Sequence, residues 1–287
     1  MTTREPQLSY CAEQVRRQDR DRFLTALFAS AGRREDLFAL YAFNLEVART
    51  REMVREPMMG LIRLQWWREA IDGIYSGVVR RHEVVRPLAA AVERHRLSRS
   101  HFDRLLAARE ADMEDAPPAT MQALLDYAEG SSASLVLLAL EVLSQNGEGR
   151  EGPAAAAGRQ VGIAWALVGL MRAIPFHARA KRLYLPEDLM ARTGVRRGDI
   201  FEFRPSPALA EAVREVADAA KAHLIRARAL KRSVPRNLVP ALLPAVLAGL
   251  YLRQLAKARY DVFDARVQEA PPGRAWRLAF RALQGAY

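Results

Sequence analysis

The chain has 287 residues, half of them apolar, so it is long enough and apolar enough to bury a sizeable core. Its formal net charge of +11 comes mostly from arginine and favours an anionic neighbour, such as a phosphate-bearing ligand, an acidic membrane surface or an acidic protein. The single cysteine, Cys11, excludes an internal disulfide and a cysteine-based metal cluster. Neither zinc-finger spacing nor an aromatic–basic RNA signature is present, so we expect no nucleic-acid partner.

The sequence also indicates whether the chain carries a targeting signal or a membrane-spanning helix. Residues 1–23 mix acidic and basic side chains without an apolar segment, unlike a secretory signal or a transit peptide. The longest apolar run, 238–252, is shorter than the roughly 20 residues that a membrane-spanning helix needs. We therefore expect a cytoplasmic protein, with peripheral contact to a membrane left open.

Helical periodicity runs along almost the whole chain, and no alternating β-branched segment predicts a strand. Pro57 is expected to end the second helix, Ser98 to cap the fifth, and Pro175 to kink or end the seventh. We expect a break at Gly32 and a loop at 194–207. Ten helices are predicted, with approximate bounds 23–28, 34–55, 61–75, 87–95, 98–115, 120–145, 158–174, 207–232, 238–264 and 273–284.

The organisation of the chain is that of one all-α domain. The sequence shows no internal repeat and no composition shift of the kind that marks a linker. We therefore predict a single domain spanning residues 1–287.

The stretch 158–186 begins as an apolar helix and ends as a basic segment. Small side chains along it would let another helix or a long apolar ligand approach the backbone closely: Gly158, Gly162, Ala164, Ala166 and Gly169. His177 stands among several cations in the basic part, and none of the five histidines has metal-ligand spacing. This basic part is either a phosphate site or a solvated edge.

An acidic cluster at 110–115 contains Glu110, Asp112, Glu114 and Asp115. Its position at a helix carboxyl end is unfavourable against the helix dipole. We interpret it as a solvated face in preference to a metal site.

Four segments in the same order as in a known family give the chain a resemblance to squalene/phytoene synthases. They are Leu-Tyr-Ala-Phe at 40–43, Tyr-Ala-Glu-Gly-Ser at 127–131, the stretch 158–186 with its Arg-Leu-Tyr-Leu-Pro ending, and Tyr-Asp-Val-Phe with Arg-Val at 260–267. The resemblance implies the all-α isoprenoid synthase bundle around a central cavity. In that family, aspartates four residues apart on two facing helices hold Mg²⁺ ions that bind the substrate diphosphate.

The sequence departs from that family pattern at the metal-binding positions. By the resemblance, one pair of positions is occupied by Ala48 and Glu52, and the other by Ala173 and His177. Only Glu52 retains a carboxylate, so we expect no metal and no cofactor. Mg²⁺ is expected only if the chain is an active enzyme.

The remaining pattern resembles a non-catalytic branch of the family that takes part in building respiratory complex I (NADH:ubiquinone oxidoreductase). This implies a pseudoenzyme whose partners are complex I subunits or assembly intermediates. It implies a location in the bacterial cytoplasm, peripheral to the inner membrane, or on the matrix side in mitochondria. The alternative is an active prenyl-diphosphate transferase of squalene/phytoene synthase type.

A further hypothesis is that the cavity still binds an isoprenoid diphosphate or an anionic lipid without metal. The candidate residues are Arg49, Arg51, Glu52, Arg172, His177, Arg179, Arg182 and Tyr184. The alternative is that these arginines form ion pairs with Glu46, Glu52 or other carboxylates.

Overall fold

The computed structural model describes residues 8–287, and that part of the chain contains helices and no strand. The helices, in chain order, are α1 (Tyr10–Gln18), α2 (Arg20–Ala26), α3 (Ala31–Ala48), α4 (Thr50–Met53), α5 (Pro57–Ser76), α6 (Val85–His95), α7 (Arg99–Glu110), α8 (Met121–Ala128), α9 (Ser134–Leu143), α10 (Gly152–Arg172), α11 (Ile174–Arg179), α12 (Glu187–Thr193), α13 (Arg197–Phe201), α14 (Pro207–Ala229), α15 (Val239–Leu242), α16 (Pro244–Lys257), α17 (Ala265–Gln268) and α18 (Arg274–Leu283). A π-helical turn at Glu129–Ala133 joins α8 to α9. The all-α prediction is confirmed.

The predicted helix at 34–55 is wrong at both ends. Gly32 lies in the first turn of α3 and does not break it. The break falls at Arg49, whose φ of −92° and ψ of 3° leave the helical region and separate α3 from α4. Pro57 occupies the first turn of α5, where its missing N–H has no helical partner to lose. The break at Arg49 re-aims the chain at the point where the candidate site begins.

Other boundaries also differ from the sequence-based expectation. Ser98 precedes α7 as predicted, but its hydroxyl donates to the buried Glu141 carboxylate at 2.5 Å instead of capping the helix. The segment 194–207 is not all loop, because it contains α13. Two elements are absent from the sequence-based prediction. One is helix α1, and the other is the π-helical turn that interrupts the predicted 120–145 helix. Pro175 lies in the first turn of α11, so the preceding helix ends there as expected.

α10 is the central helix of the bundle. It packs against α14 along its length, and also against α8, the π-helical turn, α9 and α16. Buried side chains from Cys11 to Tyr287 form one hydrophobic cluster around it. The other helices are thereby positioned relative to α10.

Two glycines permit the close approach on one side of α10. A Cβ added to Gly162 would lie 2.3 Å from the Cα of Ala133, and one added to Gly158 would lie 2.5 Å from a side-chain carbon of Leu140. Gly169 differs, because in the described part of the chain nothing lies within 4 Å of such a Cβ. The expected function of the small residues is therefore confirmed for Gly158 and Gly162, whereas Gly169 faces open space.

Three helical segments are long and apolar enough to cross a membrane by length and composition alone. They are Met121–Leu143, Gly152–Arg172 and Arg236–Lys257, and 67%, 56% and 78% of their apolar windows are buried. Their apolar side chains therefore supply much of the core of the bundle.

Candidate functional site

A cavity of about 250 Å³ opens beside the carboxyl-terminal half of α10. The break at Arg49 contributes one wall, the π-helical turn contributes another, and the chain from Ala173 to Tyr184 closes a third. Its lining consists of Arg22, Ala48, Arg49, Arg51, Glu52, Arg109, Asp112, Tyr127, Ser131, Ser132, Trp165, Ala166, Gly169, Leu170, Ala173, His177, Arg182 and Tyr184. One side is apolar and the rest carries cationic and hydroxyl groups.

Six of the eight candidate ligand-binding residues line this cavity: Arg49, Arg51, Glu52, His177, Arg182 and Tyr184. Arg172 does not, because its Nε donates to the carbonyl of Val267 at 3.1 Å and its guanidinium lies 3.6 Å from the centre of the Tyr251 ring. Burial lowers the pKa of Arg172. Arg179 is exposed, with its guanidinium 6.0 Å from the centre of the Phe203 ring.

The four positions that the family resemblance assigns to metal ligands all face the cavity. Ala48 ends α3 and Glu52 lies in α4, while Ala173 lies at the break between α10 and α11 and His177 lies in α11. The two alanines offer no ligand atom, and Mg²⁺ prefers oxygen ligands to imidazole nitrogen. The side chains at these positions therefore do not fit a Mg²⁺ cluster.

The arginines of the first wall are already paired. Arg49 Nε lies 3.5 Å from a Glu52 carboxylate oxygen, and an Arg51 Nη lies 3.5 Å from an Asp115 carboxylate oxygen. Glu46, the other expected partner, binds Arg63 at 2.5 Å. At this wall the geometry matches the ion-paired alternative.

Asp112 is the centre of a hydrogen-bond network in the cavity lining. The hydroxyls of Tyr127 and Tyr184 donate to its Oδ1 at 2.8 and 2.6 Å. Arg109 donates to the Tyr127 hydroxyl at 2.7 Å and lies 3.3 Å from the Asp112 Oδ2. Arg182 donates to the Asp112 carbonyl at 2.6 Å and to the Tyr184 hydroxyl at 2.9 Å. The interpretation of the acidic cluster as a solvated face is wrong for Asp112, which is 3% exposed.

The protonation states of this network follow from its burial. Burial raises the pKa of the Tyr127 and Tyr184 hydroxyls, so both stay protonated and donate to Asp112. Burial alone would lower the pKa of Arg109, but Tyr127 and Asp112 outweigh it and raise that pKa. Arg109 and Asp112 are three residues apart, and this spacing is the sequence signal for their contact.

His177 packs against this network as a neutral imidazole. Its ring centre lies 4.6 Å from that of Tyr184. Burial and the nearby charge of Arg182 lower its pKa to about 4. Within residues 8–287, Arg182 has no carboxylate oxygen within 4 Å. Arg182 is therefore the lining cation whose charge is least compensated.

Several buried polar atoms of the lining have no hydrogen-bond partner among the described residues. They are Arg51 Nε, Arg109 Nε, Ser132 Oγ and His177 Nδ1. Ser132 belongs to the π-helical turn, an irregularity that is common at functional sites. Buried groups of this kind require a polar partner, because burial without one costs about 1–3 kcal/mol each.

The charge of the lining is positive. It contains five arginines and two carboxylates, and Asp19 and Asp115 pair with two of those arginines from outside. Among residues 8–287, no group of three or more histidine, cysteine, aspartate or glutamate side chains is placed to hold a metal ion. The arrangement suits the binding of an anion by N–H and O–H donors.

Comparison with known proteins gives two kinds of similarity. The sequence profile of the squalene/phytoene synthase family matches residues 15–272. NADH dehydrogenase (ubiquinone) complex I, assembly factor 6 of Bos taurus is 33% identical over 259 residues, which cover 90% of this chain and 77% of that protein. Presqualene diphosphate synthase of Sinorhizobium fredii is 26% identical over 257 residues, which cover 88% of each chain.

The solved structures agree with the fold. A dehydrosqualene synthase crystallised with a ligand superposes with a TM-score of 0.82, covering 96% of this chain and 94% of its own. Its sequence identity is 19%, so this similarity bears on the architecture alone.

Proposed function

Because the chain belongs to the squalene/phytoene synthase family, we propose that it uses the family's fold for the assembly of respiratory complex I and not for prenyl transfer. The observation that carries this proposal is the 33% identity with a complex I assembly factor over 90% of the chain. Its partners would be complex I subunits or assembly intermediates. Its place would be at the inner membrane, on the cytoplasmic side in a bacterium or on the matrix side in a mitochondrion.

The cavity supports this proposal through the groups that face it. Transfer of a prenyl group in this family depends on Mg²⁺ to neutralise the departing diphosphate. The four family positions hold two alanines, a neutral histidine and a glutamate that pairs with Arg49. This set favours a pseudoenzyme.

A deletion strain of the host tests the assembly function. We expect less assembled complex I on native gels and less NADH:ubiquinone activity, with both restored by the wild-type chain. Complex II activity, measured in the same membranes, serves as the control for general membrane damage. Normal complex I in the deletion strain would refute the proposal.

We also propose that the cavity binds the phosphate groups of an anionic isoprenoid or lipid without metal. Among the described residues 8–287, Arg182 has no carboxylate partner, and donors of Arg51, Arg109 and Ser132 in the same lining have no hydrogen-bond partner. A volume of about 250 Å³ is below the usual 300–1,000 Å³ of drug-sized ligand sites. The cavity therefore suits a diphosphate head group with a short part of its chain.

Thermal-shift titration in EDTA tests this binding with farnesyl diphosphate, inorganic pyrophosphate and farnesol. We expect both phosphates to stabilise the wild type and farnesol to have little effect. Arg182→Gln should weaken binding at least 10-fold, because a charge-assisted hydrogen bond contributes about 1.5–3 kcal/mol. The matched control is Arg179→Gln, since Arg179 lies outside the cavity. Equal losses in both variants, or no stabilisation at millimolar phosphate ligand, would contradict this binding.

A second candidate function is prenyl-diphosphate transfer, favoured by the similarity to presqualene diphosphate synthase. It requires a metal site different from the family's, one that would combine Glu52, the only carboxylate at the four family positions, with Asp112, the other carboxylate of the lining. Release of diphosphate from farnesyl diphosphate that depends on Mg²⁺ would support this function. If release persists in a Glu52→Gln, Asp112→Asn double variant, these carboxylates do not hold the metal.

A further inference from the structure

The last helix, α18, presents an apolar stripe to solvent. Trp276, Phe280 and Leu283 lie on one side of the helix at spacings of four and three residues, and they are 82%, 61% and 82% exposed. Leu278 lies on the other side and is fully buried against the bundle. The helix is thus anchored by one face while large apolar side chains project from the other. Projecting side chains of this size, grouped on one surface, mark an interaction site.

A cluster of arginines lies beside this stripe. Arg277 and Arg281 of α18 face Arg228 of α14 and Arg253 of α16 across a groove of about 460 Å³. Within residues 8–287, none of these four arginines has a carboxylate oxygen within 4 Å. Burial and the charges of Arg281 and Arg253 lower the pKa of Arg228, as expected where cations repel one another. The groove therefore carries excess positive charge, which a bound anion would balance.

The aromatic walls of the groove connect the two features. Trp276 and Phe280 line the groove together with the four arginines, so apolar side chains of the stripe and cations share one surface. Tyr287 fixes the far end of the groove, because its hydroxyl donates to the carbonyl of Ala227 at 3.1 Å. An amphipathic helix with arginines beside a tryptophan-containing face is suited to the boundary between phosphate head groups and acyl chains.

We propose that α18 and the arginine groove bind the surface of a bilayer that contains anionic phospholipids. Guanidinium groups of the groove bind head-group phosphates, while Trp276, Phe280 and Leu283 enter the head-group and acyl boundary. A bilayer fits better than an acidic protein, because its surface offers phosphates and acyl chains side by side, as the groove arginines and the 61–82% exposed stripe require. This surface is separate from the α10 cavity, so its failure would leave the complex I proposal untouched.

Vesicle co-sedimentation tests the charge requirement with the full chain. We expect binding to phosphatidylcholine vesicles that contain phosphatidylglycerol, and little binding to phosphatidylcholine alone. The double variant Arg277→Gln, Arg281→Gln should bind about 30-fold more weakly, and the wild-type affinity should fall as salt rises. Arg179→Gln, an exposed arginine elsewhere, should bind like the wild type. Equal binding to both kinds of vesicle, or an unchanged double variant, would overturn the proposal.

The apolar stripe is tested separately from the charges. The double variant Trp276→Ala, Leu283→Ala should lose at least 10-fold in binding to the same vesicles. Met58→Ala, which removes a 63% exposed side chain from α5, should have no effect. Because all these side chains are exposed, the variants should keep the wild-type melting temperature. Inorganic phosphate that binds the groove while vesicles do not would identify a small-anion site and refute membrane binding, as would capture of an acidic protein alone.

Discussion

Replacing Gly162 by alanine tests the close approach of α10 to the π-helical turn. The new Cβ would lie 2.3 Å from the Cα of Ala133 and 2.7 Å from its backbone nitrogen. Because both are backbone atoms, no rotamer change relieves the contact, and overpacking of this kind costs about 3 kcal/mol. The better helix propensity of alanine offsets about 1 kcal/mol of that cost. We expect a net loss of about 2 kcal/mol in the free energy of unfolding.

Gly169→Ala is the matched control, in the same helix and with the same chemical change. No atom of residues 8–287 lies within 4 Å of the added Cβ, so we expect only the helix propensity to change. We expect a gain of up to about 1 kcal/mol. Urea denaturation, followed by circular dichroism, measures both variants. If Gly162→Ala is as stable as Gly169→Ala, the proposed close packing of α10 is refuted.

Two further predictions concern the network beside the cavity. Asp112→Asn should lower the free energy of unfolding by about 3 kcal/mol, because it leaves Arg109, whose side chain is 17% exposed, without a charged partner, whereas Asp115→Asn should cost less than about 1 kcal/mol. Equal urea midpoints for the two variants would contradict the network. The pKa of His177 is lowered to about 4, so the unfolded chain takes up a proton below about pH 6.5 that the folded protein does not bind. Stability should therefore fall by about 2 kcal/mol between pH 7 and pH 5 on account of His177, and His177→Asn should remove that part. An unchanged pH dependence in this variant would show that the imidazole titrates freely.

Features of the fold that depend on helical periodicity could be predicted from the sequence. The small residues of α10 predicted close packing, and spacing by four placed Ala173 and His177 on one face, where both line the cavity. These inferences depend on neighbours within one or two helical turns. The same local rules predicted that the helix ends at Pro175, and α10 ends three residues earlier, at Arg172.

The two hydroxyl donors of Asp112 come from parts of the chain that no local rule connects to it. Asp112 meets Tyr127 and Tyr184 across 15 and 72 residues of chain. Considered alone, a carboxylate at a helix carboxyl end is expected in solvent, and only the folded bundle supplies its donors. Arg172 was misassigned for the same reason, since the Tyr251 ring and the Val267 carbonyl that hold it lie far along the chain.

The apolar helix α10 has a consequence for the synthesis of the chain on the ribosome. Its 21 residues are apolar enough to be mistaken for a membrane span, yet its main packing partner, α14, begins only at Pro207. Until that later segment emerges, the main partners of α10 already synthesised are α8, the π-helical turn and α9. The nascent chain therefore exposes apolar surface of α10 while about 35–55 further residues are synthesised. A chaperone that binds apolar helices would act in this interval.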